Sequence, residues 1–136
     1  MNKKIFLTGA SGFAGKEVAK YLHQRKFKVS KILFRDLKKK GTKIDLTKKI
    51  FLEGDFDWIV HAASHHTIKD FESKPELKAK KNVLMVQNLI EFSKKNEIKN
   101  FIYFSTIDLN YSPYPVKKKI YCQSKLLCEK ILLSAL

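Results

Sequence analysis

Arginine is almost missing from a strongly basic chain. Of 28 basic residues only Arg25 and Arg35 are arginines; the rest are lysines, set against 13 acidic residues for a net charge of +15. Proteins that read nucleic acid rely on the arginine fork at phosphates and base edges. Here the lysines are spread along the whole chain, so they read as a solvated surface and no nucleic-acid partner is expected. The same charge suits an enzyme whose ligands carry phosphates. Cysteine is equally scarce. Cys122 and Cys128 are the two, six apart in a helical segment and so on different faces. That spacing suits neither a disulfide framework nor a metal site, and the expectation is a reduced, cytoplasmic protein. No apolar run approaches the roughly 20 residues that span a bilayer, so no membrane partner is expected. The N-terminal Met1 to Leu7 reaches Thr8-Gly9 too soon to be a signal peptide. Low-complexity linkers and internal repeats are missing as well.

What is present is a globular composition, 44% apolar and 12% aromatic over 136 residues. One domain of roughly 100–200 residues fits that length, with a core able to bury about two thirds of the unfolded surface. Lys4 to Leu7 is a short apolar run and reads as a buried strand. Phe13 to Lys26 carries Ala14, Val18, Tyr21 and Leu22 at helical spacing. Val29 to Phe34 is a second strand, Lys38 to Gly41 a basic turn, and Ile44 sits in a short third strand ending at Asp45. Trp58 to Val60 is a fourth strand, ended by His61-Ala62-Ala63-Ser64. Pro75 opens a long helix with Val83, Val86 and Ile90 on one face. Phe101 to Phe104 is a fifth strand, Tyr111 to Pro115 a loop, and Ile120 to Leu133 a last helix. Strands alternating with helices predict an α/β fold: a Rossmann-like, doubly wound parallel sheet with helices on both faces. A sheet that binds a dinucleotide usually continues past a fifth strand. Residues 1–136 are therefore either a minimal version of such a domain or the cofactor part of something longer.

Between the first strand and the first helix lies Thr8-Gly9-Ala10-Ser11-Gly12-Phe13-Ala14-Gly15. Glycines at a spacing of three let the backbone turn tightly, approach a pyrophosphate and pack the helix against the sheet. The start of the helix then offers free amides to phosphate charge. A bare glycine triplet is weak evidence; one that follows a strand and precedes a helix is in the confirming context.

The spacing Gly-x-x-Gly-x-x-Gly resembles the extended branch of the short-chain dehydrogenase/reductase superfamily, the NAD-dependent epimerases and dehydratases. The resemblance runs over nearly the whole chain. Asp57-Trp58-Ile59-Val60-His61-Ala62-Ala63 is similar to that branch's strand end behind the cofactor. Asn82-Val83 with Asn88-Leu89, and Phe104-Ser105-Thr106, are similar to its helix and its strand-end Ser-Ser/Thr. Tyr121-Cys122-Gln123-Ser124-Lys125 matches its Tyr-x-x-x-Lys. The resemblance implies a catalytic set of Thr106, Tyr121 and Lys125. Thr106 lies three residues before Leu109, with Asn110-Tyr111 where the family has Tyr-Gly. It implies a cofactor set of Gly9, Ser11, Gly12, Phe13, Ala14, Gly15, Arg35, Asp45, Leu46, Ala62, Ala63 and Ser64, joined by Tyr121 and Lys125.

Tyr121 and Lys125, four apart, share one helix face. A cation about 4 Å from a phenol at an effective dielectric near 20 is worth roughly 4 kcal/mol, which would lower the phenol's pKa by about three. Tyr121 would then be an acid/base near neutral pH. A carboxylate after the second strand would bind the ribose diol of NAD, and a basic residue the phosphate of NADP. Arg35 and Asp36 are adjacent there, with Lys38 to Lys40 beyond, which favours NADP slightly over NAD. His61, His65 and His66 have no cysteine or carboxylate set at ligand spacing, so no metal is expected. Ser64 has no strained Gly-x-Ser-x-Gly elbow and reads as a pocket-lining residue.

The resemblance implies a nucleotide-sugar epimerase, dehydratase or reductase that couples proton transfer to hydride transfer. A homodimer is a possible assembly. Two alternatives stand beside the enzyme: a non-catalytic dinucleotide sensor or interaction domain, and a cofactor-binding part without turnover of its own.

Overall fold

The computed structural model describes residues 3–33 and 41–135. Five strands form one parallel sheet: β1 Lys4–Thr8, β2 Lys28–Leu33, β3 Thr42–Lys43, β4 Trp58–His61 and β5 Asn100–Tyr103. Their order is β3-β2-β1-β4-β5. The chain builds outward from β1 on one side and then returns to build outward on the other. That reversal opens a crevice at the carboxyl ends of β1 and β4, where open α/β sheets bind ligands. The described residues form four helices, α1 Phe13–Gln24, α2 Ile68–Glu72, α3 Pro75–Lys95 and α4 Lys119–Ala135, with α2 packed on α3 rather than on the sheet.

β1 is apolar without alternation because both of its faces are covered. Ile5 and Leu7 pack with Ala19 of α1, Leu33 and Val60. Phe6 points the other way, into Ile32, Ile59, Leu89 and Phe92, with its ring 4.9 Å from that of Phe92. α3 is long and apolar on two stripes because it has two neighbours. Met85, Leu89 and Phe92 face the sheet, while Val86 and Ile90 meet Cys128 and Leu132 of α4. Pro75 stands in its first turn, where a missing amide costs nothing. Among the described residues no helix is long and apolar enough to cross a membrane.

Several sequence expectations need correction. Tyr21 does not join the buried stripe of α1; it is 54% exposed and carries the Arg25 guanidinium over its ring. The stripe runs through Gly15, Val18, Ala19 and Leu22, because small side chains let the helix lie close to the glycine loop. The third strand ends before Ile44, whose amide still reaches the Leu33 carbonyl at 2.9 Å. The last strand and last helix each begin one residue early, at Asn100 and Lys119. The segment before α4 is more ordered than a loop, with 3-10 turns at Ile107–Asn110 and Val116–Lys118. Helix α2 has too few residues to carry a periodic signal. Phe34, Arg35, Asp36 and Lys38 to Lys40 lie outside the described residues.

Candidate active site

The glycine loop is squeezed between β4 and α1. Gly9 has φ +70°, and a side chain there would stand 2.5 Å from the Ala63 nitrogen. A side chain on Gly15 would stand 2.0 Å from the Gly9 carbonyl oxygen. Gly12 differs. A Cβ there would meet only that same oxygen, at 3.3 Å, and would otherwise face open space. Gly12 also precedes α1, which no side chain caps. The amides of a first helical turn have no partner within their own helix, so this loop is a cradle for an anion.

The cradle opens on a cavity of about 250 Å³. Eight of the expected cofactor residues line it: Gly9, Ser11 and Gly12 from the loop, Asp45 and Leu46 from beyond β3, and Ala62, Ala63 and Ser64 from beyond β4. Phe13, Ala14 and Gly15 lie beside it in the first turn of α1. Lys81 and Met85 of α3 close the far wall and were not legible from the sequence. Asn82 fixes the wall's shape by clasping both backbone groups of His65 at 2.8 and 2.9 Å. Asn88 does the same for Leu46, donating to its carbonyl at 2.9 Å. Asp45 accepts from the amide and hydroxyl of Thr47, and that hydroxyl above all holds its carboxyl below the usual range.

Thr106, Tyr121 and Lys125 do not line this cavity; they gather at the carboxyl end of β5. Lys125 is 3% exposed, and its ammonium donates to the Phe104 carbonyl at 2.6 Å. It lies 4.5 Å from the centre of the Tyr103 ring and 5.9 Å from that of Tyr121. Thr106 caps the following 3-10 turn, accepting from the Asp108 amide and donating to the Asp108 carboxylate at 3.1 Å. The same carboxylate accepts from Lys118 at 2.9 Å. Ser105 lies elsewhere, beside a groove between β5 and α4, with its hydroxyl buried.

Residues 5–135 match the NAD dependent epimerase/dehydratase family. The chain belongs to that family. It is 34% identical over 127 residues to a dTDP-D-glucose 4,6-dehydratase from Dictyostelium discoideum, covering 76% of this chain and 29% of that protein. Among solved structures it is similar to a UDP-glucose 4-epimerase with UDP-glucose from Thermotoga maritima (TM-score 0.82, 20% identity, 97% of this chain and 50% of the other). It is also similar to one from Bifidobacterium longum in complex with NAD+ and UDP (TM-score 0.80, 19% identity, 97% and 48%). The chain thus spans about half the length of these solved relatives and under a third of the curated one.

In this epimerase/dehydratase domain the electrostatics of the Tyr-x-x-x-Lys pair differ from the sequence expectation. Burial, first of all, pushes the Tyr121 phenol up, and the Asp108 charge adds to the rise. A hydrogen bond with Thr106 and the Lys118 charge pull it back. The Lys125 ammonium is turned to the Phe104 carbonyl and lies 5.9 Å from the centre of the Tyr121 ring, and the phenol stays above its ordinary value. Asp108, Lys118 and Phe71, whose ring meets Tyr121 edge-on at 5.6 Å, are the site neighbours that sequence reasoning missed. Only the position of Asp108, two residues after Thr106, could have pointed to one of them.

Lys125 itself is pushed down to about 8 by burial. An unfolded lysine holds its proton up to about 10.4. Below pH 8 both states are protonated; between about 8 and 10 the unfolded chain binds the extra proton, so stability rises with pH across that window. The full gain is about 3 kcal/mol. Urea unfolding of wild type beside Lys125→Met should show the wild type gaining on the variant as pH climbs. Parallel curves would mean that Lys125 titrates as an ordinary lysine.

Proposed function

We propose that this chain is the cofactor-binding part of a nucleotide-sugar epimerase, dehydratase or reductase, with Thr106, Tyr121 and Lys125 as its catalytic residues. The observation that carries the reading is the buried Lys125 beside Tyr121, at the same sheet edge as the glycine cradle. Burying an ammonium works against folding, and a sensor domain has no use for it. The residues present fit a dinucleotide. The space at Gly12 that a side chain would fill admits a pyrophosphate, and Asp45 and Leu46 stand where an adenosine half would lie. When bound, the nicotinamide supplies the hydride acceptor or donor. The chain's own residues do the rest. Lys125 binds a ribose hydroxyl, Thr106 donates to a sugar oxygen, and Tyr121 moves a proton at that oxygen. Near neutral pH Tyr121 is a protonated phenol by its surroundings in this chain, so it is poised as the acid until a further positive charge arrives. Arg35 in the sequence favours NADP, whereas the Bifidobacterium longum relative is described with NAD+. Titration with both dinucleotides separates the two. The substrate is a sugar carried on a nucleoside diphosphate, and two free, buried cysteines suit a reducing cytoplasm.

The test is calorimetry on the chain with NADP and NAD. Micromolar binding is expected, and Gly12→Val should abolish it while leaving the fold intact, because its branched side chain would occupy the phosphate space rather than the core. Equal affinity in the variant would remove the cradle from the site.

A further inference from the structure

Thr8, His61 and Tyr103 stand side by side at the carboxyl ends of β1, β4 and β5. Thr8 Oγ1 accepts from the Ala63 amide at 3.2 Å and shares a hydrogen bond of 2.6 Å with His61 Nδ1. The ring is neutral: burial, first, and the Lys125 charge hold its pKa down to about 3. It stacks on Tyr103, with centres 5.7 Å apart and planes inclined by 21°. The Lys125 ammonium stands 4.5 Å from the centre of that same Tyr103 ring. Thr8 and His61 are buried and Tyr103 is half-buried, and nothing in the Thr106–Tyr121–Lys125 chemistry uses this row.

We propose that Tyr103, backed by His61 and Thr8, is the positioning residue for Lys125. The inference rests on the reading of Lys125 as the lysine that binds a ribose hydroxyl of the dinucleotide. An ammonium has three donors, and the Phe104 carbonyl takes one. The face of an aromatic ring attracts the charge without consuming a donor. The remaining hydrogens stay available for hydroxyl groups, and the flexible stem keeps one direction. A neutral partner behind Tyr103 matters, because an imidazolium would repel the ammonium. Thr8 fixes the ring in place through its hydrogen bond with Nδ1, and Thr8 itself leads into the glycine loop. The row therefore ties the position of Lys125 to the strand that begins the phosphate cradle.

The experiment is an NMR titration of the Lys125 side chain in the 136-residue chain, its signal assigned by loss in Lys125→Met, with calorimetry on the same samples. The groups facing the ammonium are His61 from β4, Tyr103 from β5, and Tyr121, Cys128 and Glu129 from α4. All but Tyr103 stay constant through the series. Tyr103→Phe keeps the ring and should leave both the titration midpoint and the dinucleotide affinity as in wild type. Tyr103→Leu removes the ring and should lower the midpoint by about one pH unit and weaken dinucleotide binding about tenfold. Circular dichroism checks the fold; if Tyr103→Leu does not fold, Tyr103→Met replaces it as the ring-free variant. A folded ring-free variant whose Lys125 titrates with the wild type overturns the proposal, as does a Tyr103→Phe that behaves like Leu. A wild-type chain that binds no dinucleotide instead defeats the functional reading, and the titration still decides whether Tyr103 holds the charge.

Discussion

Tyr121→Phe is expected to leave dinucleotide binding nearly intact and to cut turnover of a nucleotide sugar by ~10²–10⁴-fold, the usual worth of a positioned acid/base. The two effects separate because the ring and the hydroxyl do different work. The ring is 8% exposed and packs edge-on against Phe71, and phenylalanine keeps that contact. The hydroxyl holds the proton and interacts with Thr106, and only it is lost. Lys125 keeps its bond to the Phe104 carbonyl and its place over Tyr103 in the variant. The measurement is hydride transfer with a panel of nucleotide sugars, run beside cofactor titrations, on this chain and on a version extended past Leu136. Activity only in the extended version assigns this chain the cofactor part and leaves the residue roles unchanged. Wild-type turnover in Tyr121→Phe would defeat the mechanism whatever the fold.

The parallel sheet and most of the cofactor cavity were legible because their signals are local. An apolar strand, a glycine turn and a helix follow one another within Lys4 to Gln24, so the cradle could be read from a few consecutive residues. Asp45, Leu46, Ala62 and Ala63 came from the family resemblance, and they converge on the one cavity. The electrostatics of Tyr121 were not legible. Spacing on a helix places Lys125 near the phenol, but only the fold reveals that the Phe104 carbonyl, just past β5, holds the ammonium. The counter-charges Asp108 and Lys118 come from a segment whose short 3-10 turns carry no periodic pattern. Tyr21 misled for a related reason. Its apolar ring fits a helical stripe by spacing, yet the buried side of α1 is Gly15, where the loop leaves no room for a side chain, and Ala19, which packs on the sheet.

That lack of room sets the last expectation: Gly15→Ala should destabilise the chain by about 3 kcal/mol, at the upper end of the usual range for overpacking. By helix propensity alone, alanine in place of glycine should stabilise α1 by about 1 kcal/mol. Packing wins because of what the new methyl group would meet. It would lie 2.0 Å from the Gly9 carbonyl oxygen, 2.6 Å from the Gly9 carbonyl carbon and 3.0 Å from the Ala10 nitrogen. All three are backbone atoms, so no side chain can swing aside. Carbon contacts are comfortable near 3.5–4.0 Å, so the helix and loop would have to part by more than ~1 Å. The loop cannot retreat, because Gly9 is already so close to β4 that its own Cβ would be 2.6 Å from the Ala62 carbonyl carbon. The helix must therefore tilt outward, uncovering Ala19 and Leu22 from the sheet face and widening the cradle. Gly12→Ala is the control, since its one contact at 3.3 Å needs only a small adjustment. Thermal unfolding followed by circular dichroism should place the Gly15→Ala midpoint roughly 10–15 °C below wild type, with Gly12→Ala close to it, and dinucleotide binding should weaken in both. A Gly15→Ala chain as stable as wild type would mean that the third glycine of the motif is not what brings α1 against the loop.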